Sequence, residues 1–114
     1  MPDEKIFDII IRGGTVVDGS GDDRFQADIG LVDDTIKEIG CLSGANGGKV
    51  IDAANRIVAP GFIDVHTHDD RILLAKPSMD MKVSQGVTSV VVGNCGIFKM
   101  YVFCKYSSII TKNI

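Results

Sequence analysis

The sequence predicts a chain in two parts, a β-rich, sandwich-like N-terminal half and a short α/β segment with parallel strands. Three observations predict it. Residues 6–58 are short apolar, β-branched runs broken by clusters of Gly, Asp and Asn, with no long helical pattern. Residues 59–92 read instead as strand, short helix, strand, the order of a parallel βα unit. The chain has 114 residues, whereas a complete (β/α)8 barrel needs about 250. At most two βα units fit between Arg56 and Ile97.

In order, Phe7–Arg12 is apolar and β-branched and runs into the turn Gly13-Gly14, with Thr15–Val17 continuing the strand. Asp18–Asp23 is a loop by composition. Ala27–Val32 and Thr35–Ile39 flank Asp33-Asp34, which reads as a two-residue hairpin connection. Gly40–Gly48 holds four glycines and reads as a loop. Lys49–Asp52 and Arg56–Val58 form two more short strands around Ala53, Ala54 and Asn55. No residue before Ala59 carries a catalytic pattern, so this half is expected to be structural.

Pro60-Gly61 then makes a turn, since proline is excluded from the middle of a central strand. Phe62–Val65 is a short apolar run. It leads into His66, Thr67 and His68, and then into Asp69 and Asp70, which are expected to end the strand and face solvent. Asp69–Pro77 reads as a loop or a ragged first turn. Ser78 is expected to cap a short helix from Met79 to Gln85, with Gly86 in the left-handed position that closes it. Val87–Val92 is a strand apolar at nearly every position, as expected when both faces are covered.

The chemistry concentrates at the ends of these two strands. His66 and His68 are the chain's two histidines. In an extended strand they point the same way, about 7 Å apart. At that spacing two imidazoles can bind one metal ion, with Zn–N distances of about 2.0–2.1 Å; an isolated H-x-H is otherwise an ordinary strand end. Cys95, just past the second strand, is either a thiolate ligand or a small buried hydrophobe. Asp64 shares the strand face of His66. It either accepts an imidazole N–H and orients the ring or faces into the lower barrel and pairs with a cation that this chain lacks.

Composition excludes several classes. A net charge of −3 without a basic patch argues against nucleic acid. No apolar run approaches the ~20 residues of a membrane span. The acidic, polar start Met1–Lys5 does not resemble a secretory signal. Cys41, Cys95 and Cys104 form no paired spacing, which fits free thiols in a reducing compartment. A cytoplasmic location is expected.

Pro60-Gly61-Phe62-Ile63-Asp64-Val65-His66-Thr67-His68 resembles the first barrel strand of the amidohydrolase superfamily of metal-dependent hydrolases. Gly86-Val87-Thr88-Ser89-Val90-Val91-Val92-Gly93-Asn94-Cys95-Gly96 is similar to the end of strand 2 in its N-acyl-D-amino-acid deacylases. The match runs from about Phe7 to Ile97. The resemblance implies a half-sandwich over residues 1–58 and, over 59–97, the first one or two βα units of an incomplete (β/α)8 barrel. It also implies a zinc site with His66, His68 and Cys95 as ligands, and Asp64 supporting them. The implied reaction is hydrolysis of a small-molecule N-acyl-D-amino acid to a D-amino acid and a carboxylate. The general acid–base aspartate of such enzymes lies on a late strand with no counterpart here, so no catalytic residue is expected in this chain, which would be inactive alone. Two rivals are another amidohydrolase of cyclic-amidase or dihydroorotase-like type, in which a lysine on a later strand bridges the metals, and a non-catalytic structural or binding module. The triplet Asn94-Cys95-Gly96 argues against the cyclic amidase.

Residues 98–114 depart from the family pattern. They contain no Gly, Ala, Pro, Asp or Glu but four of the seven aromatic residues. The expectation is a truncated or mis-spliced reading frame with an unrelated tail. The alternative is a short protein whose tail covers the exposed sheet.

Overall fold

The computed structural model describes residues 6–94, together with the strand backbone at 103–104 and 109–113. The chain divides into two compact units, Met1–Pro60 with Ile110–Ile114, and Gly61–Ile109.

The first unit is one mixed sheet. Its strands are β1 (Ile6–Val16), β2 (Phe25–Val32), β3 (Thr35–Gly40), β4 (Asn46–Asp52) and β5 (Arg56–Pro60). A later strand, Ile109–Asn113, lies beside β5. The long central β1 pairs antiparallel with β2 on one side. Its other side is shared in two stretches: Ile6–Arg12 runs parallel to β4, and Thr15–Val16 runs parallel to β5. The expected turn at Gly13-Gly14 is therefore a bulge inside a continuous strand, where register with β2 shifts between Ile11 and Gly14. Asp28 secures the bulge by accepting the Gly13 N–H at 2.7 Å, and its other oxygen accepts the Leu42 N–H at 3.0 Å. The expected hairpin is present between β2 and β3, with Val32 opposite Thr35. Asp33 there takes a left-handed φ of 52°, and its N–H is held by Asp8 at 2.6 Å. Phe7, Ile10 and Leu42 form one buried cluster of this unit, with Val32 and Ala45 against it. Among the described residues all its strands belong to one hydrogen-bonded sheet, and neighbours Ile10 and Ile11 on opposite faces of β1 are both buried.

The second unit carries the α/β segment. β6 (Phe62–Asp64) and β7 (Val87–Val90) run parallel, with Phe62 opposite Val87 and Asp64 opposite Val90. Between them come two short helices, α1 (Asp70–Ala75) and α2 (Asp80–Val83). The parallel strand–helix–strand order is as expected. Two local expectations need correcting. The stretch read as a loop or a ragged first turn holds a six-residue helix, α1, anchored because Leu73 is buried with Met79, Val90 and Val92. Ser78 is not the N-cap of the following helix: Met79 holds that place in a left-handed conformation with φ 48°. Burial of the Met79 side chain outweighs local capping preference there. Gly86 does take the left-handed φ expected of it, at 90°. The next strand, β8 (Phe103–Cys104), pairs antiparallel with β7. Together β6, β7 and β8 make a three-stranded mixed sheet, and β9 is the Ile109–Asn113 strand of the first unit.

Candidate metal centre

Strand β6 ends at Asp64, so His66 and His68 lie on the turn just beyond it rather than inside the strand. His66 and His68 are exposed, and Thr67 between them is buried. The two imidazoles come together, with ring centroids 5.5 Å apart and planes tilted by 43°. The structure therefore brings together the pair expected from the sequence, at the C-terminal end of a parallel strand.

Behind the exposed pair lies a polar brace. Lys82, on α2, places its Nζ 2.6 Å from Asp64 Oδ2 and 2.8 Å from Asp69 Oδ2. It also donates to Thr67 Oγ1 at 3.5 Å, and the Thr67 hydroxyl donates to Asp69. The second oxygen of Asp64 accepts the His66 backbone N–H at 3.3 Å. Asp64 thus pairs with Lys82, a cation of this chain itself, and touches His66 through the main chain. The hydrogen bond from Lys82, helped by the His66 N–H, holds the Asp64 carboxyl below its ordinary range. Burial pushes Asp69 up, but hydrogen bonds from Lys82 and Thr67 more than offset it and leave it lowered. The same two carboxylates raise Lys82.

Asp69 and Asp70 do not face solvent as expected. Asp69 is half-buried in the brace, and Asp70 is buried and accepts the Gly93 N–H at 2.9 Å. Asn94 completes the tie by donating its amide to the Thr67 carbonyl and the Val91 carbonyl, both at 3.1 Å. The ends of β6 and β7 are therefore laced together by Asp70 and Asn94. Sequence reasoning missed this role for Lys82, Thr67 and Asn94. A usable signal existed for Lys82, since Asp64 on an apolar strand needs a cation nearby.

Cys95, the third expected ligand, lies outside the described residues. Among the described residues, no group of three or more His, Cys, Asp or Glu side chains is placed to hold a metal ion. The two imidazoles are nevertheless a suitable donor pair: exposed, on one side of the chain and close enough to face a common ion.

His66 and His68 follow the end of β6, and Asn94, which follows β7, is tied to Thr67 between them. Residues 49–102 match the amidohydrolase family. The chain is similar to deacylases of N-acylated D-amino acids. It is 54% identical over 94 residues to the N-acyl-D-glutamate deacylase of Alcaligenes xylosoxydans xylosoxydans, a span covering 82% of this chain and 19% of the relative. It is 50% identical over 95 residues to the D-aminoacylase of the same organism, covering 83% and 20%. The crystal structure of N-acyl-D-glutamate deacylase from Bordetella bronchiseptica, complexed with zinc and a phosphonate inhibitor, superposes with a TM-score of 0.76 at 50% identity. That superposition covers 82% of this chain and 19% of the other. The chain therefore spans about a fifth of the length of the curated relatives it matches. No helix among the described residues is long and apolar enough to cross a membrane.

Proposed function

We propose that this chain forms the metal-binding N-terminal segment of a zinc-dependent hydrolase that converts N-acyl-D-amino acids to D-amino acid and carboxylate. The observation that carries this reading is the 5.5 Å pairing of His66 and His68 at the end of a parallel strand, in a chain half-identical to deacylases. The Bordetella relative holds zinc together with a mimic of a tetrahedral reaction intermediate, which supports the same metal and the same hydrolytic chemistry here. Residues 59–97 would open a (β/α)8 barrel, residues 1–58 would supply part of a sandwich, and 98–114 would stand outside the family fold. The absence of paired cysteine spacing supports a cytoplasmic location.

His66, His68 and Cys95 would hold the metal, and Asp64 supports His66 from behind through its backbone N–H. Bound zinc would polarise the acyl carbonyl and lower the pKa of a water from 15.7 toward about 7. The histidines must present neutral ring nitrogens, and the cysteine must lose its proton, so loading the site releases protons. Proton transfer to the departing amine needs a carboxylate beyond these four residues.

Titration calorimetry of the purified chain with zinc chloride tests the site. Saturable binding that is lost in His66→Ala and in His68→Ala is the expected result, and binding unchanged in both variants refutes the metal pair. To test the reaction, residues 1–97 can replace the matching segment of the D-aminoacylase relative. The chimera should hydrolyse N-acyl-D-amino acids and lose activity on Cys95→Ala.

A further inference from the structure

We propose that Lys82 is a positioning residue for the histidine pair, clamping Asp64 and Asp69 so that the turn between them aims both imidazoles to one side. The two carboxylates bracket the histidines in sequence, and one ammonium closes the arc, at 2.6 Å from Asp64 and 2.8 Å from Asp69. The side chains of Lys82, Asp64 and Asp69 are only 22%, 29% and 19% exposed, so water screens the clamp less than it would a surface pair. Without the cation, two partly buried carboxylates would face each other across the turn and repel.

The clamp reaches the ligating segment through two connections. Asp64 holds the His66 N–H, and Asp69 accepts from Thr67, whose own hydroxyl also accepts from Lys82. Thr67 is thereby pinned inward, and its neighbours His66 and His68 are left pointing outward. This accounts for one buried residue between two exposed histidines in backbone that is no longer paired in the sheet. Asn94 holds the Thr67 carbonyl from beyond the other strand, so the buried side of the turn is fixed at several points, while among the described residues Lys82 alone joins its two carboxylates. Neither composition nor spacing assigns Lys82 this role, which rests on the reading of His66 and His68 as a metal pair.

The test uses the whole 114-residue chain. Lys82→Met keeps the length of the side chain and removes its charge. Zinc affinity measured by calorimetry should fall about 10–100-fold, the usual effect of losing an outer partner of a metal ligand. In the double variant Lys82→Met/Asp64→Asn the loss should not exceed that of the more severe single variant, because both act through one connection. If Lys82→Met does not fold, Lys82→Arg is read instead: it keeps the charge, and affinity within about twofold of the native chain is expected, while loss of binding overturns the proposal. Zinc binding that depends on His66 and His68 but is indifferent to Lys82→Met overturns the role of Lys82 and leaves the metal pair standing. If zinc binding does not depend on the histidines, the metal reading fails by itself. The proton NMR contact between the two rings in the metal-free chain then decides: its loss in Lys82→Met supports positioning, and its persistence refutes it.

Discussion

Gly14 shows how little room the centre of the first sheet leaves. A Cβ built there would stand 2.4 Å from Val58 Cγ2 and 3.3 Å from Ala53 Cβ. Val58 is among the most fully buried side chains described, so it has no free space to move into. Gly14→Ala should destabilise the chain by about 1–3 kcal/mol through overpacking, read as a lower urea midpoint with an unchanged slope; an unshifted midpoint would show that Val58 repacks freely. At the candidate metal centre, the histidine pair was legible because the two residues of H-x-H lie close together on any nearly extended chain. The burial of Asp69 and Asp70 was not legible. Each finds its partner far along the chain, at Lys82 and at Gly93, and local pattern assigns acidic residues after a strand to solvent by default.

Among the elements, the β1 bulge and the loop leading to β4 depend on one carboxylate. Asp28 accepts the N–H groups of Gly13 and Leu42, and both donors lose their acceptor in Asp28→Ala. That variant should lose about 1–3 kcal/mol, and Asp28→Asn should lose less, since its single carbonyl oxygen can still accept; equal losses in thermal melts would argue that charge, not acceptance, matters. Met79 sets two effects against each other at the start of α2. Its left-handed conformation is unfavourable by about 1–2 kcal/mol, but its side chain is buried with Leu73, Val90 and Val92, and truncating such a residue costs about 2–5 kcal/mol. Burial is the larger, so Met79→Gly should destabilise despite relieving the backbone, and a stabilised variant would reverse that order. The strands were legible from β-branched runs and turn residues. The helix α1 was not, because six residues broken off by Pro77 carry too little periodicity to separate a helix from a loop.

At the scale of the whole molecule, the brace gives stability a defined pH dependence. Asp64 and Asp69 are lowered in the folded chain, so their contribution is complete above the unfolded carboxylate range of about 3.9 and is lost as pH falls through their folded values. Lys82 is raised, so its contribution is complete below about 10.4 and is lost as pH rises through its folded value. Urea midpoints should therefore decline at both extremes, and Lys82→Met should flatten both flanks; identical pH profiles for the two chains would count against the clamp. Phe62, Ile63 and Val65 are more than half exposed on and just beyond β6. An apolar stripe of that kind binds hydrophobic dyes and promotes association. Ile63→Lys should reduce both, with little effect on stability, as measured by dye fluorescence and light scattering.

By itself the sequence determined the β-rich half, the hairpin at Asp33-Asp34, the parallel strand–helix–strand order and the histidine pair. Each of these is written in residues adjacent or nearly adjacent in the chain, where side-chain alternation and backbone preference act directly. Only the tertiary structure decided that Gly13-Gly14 is a bulge, that β4 and β5 share one side of β1, and that Lys82 joins Asp64 to Asp69. These depend on which distant groups meet, and a buried charge settles on whichever opposite charge the folded chain brings within reach.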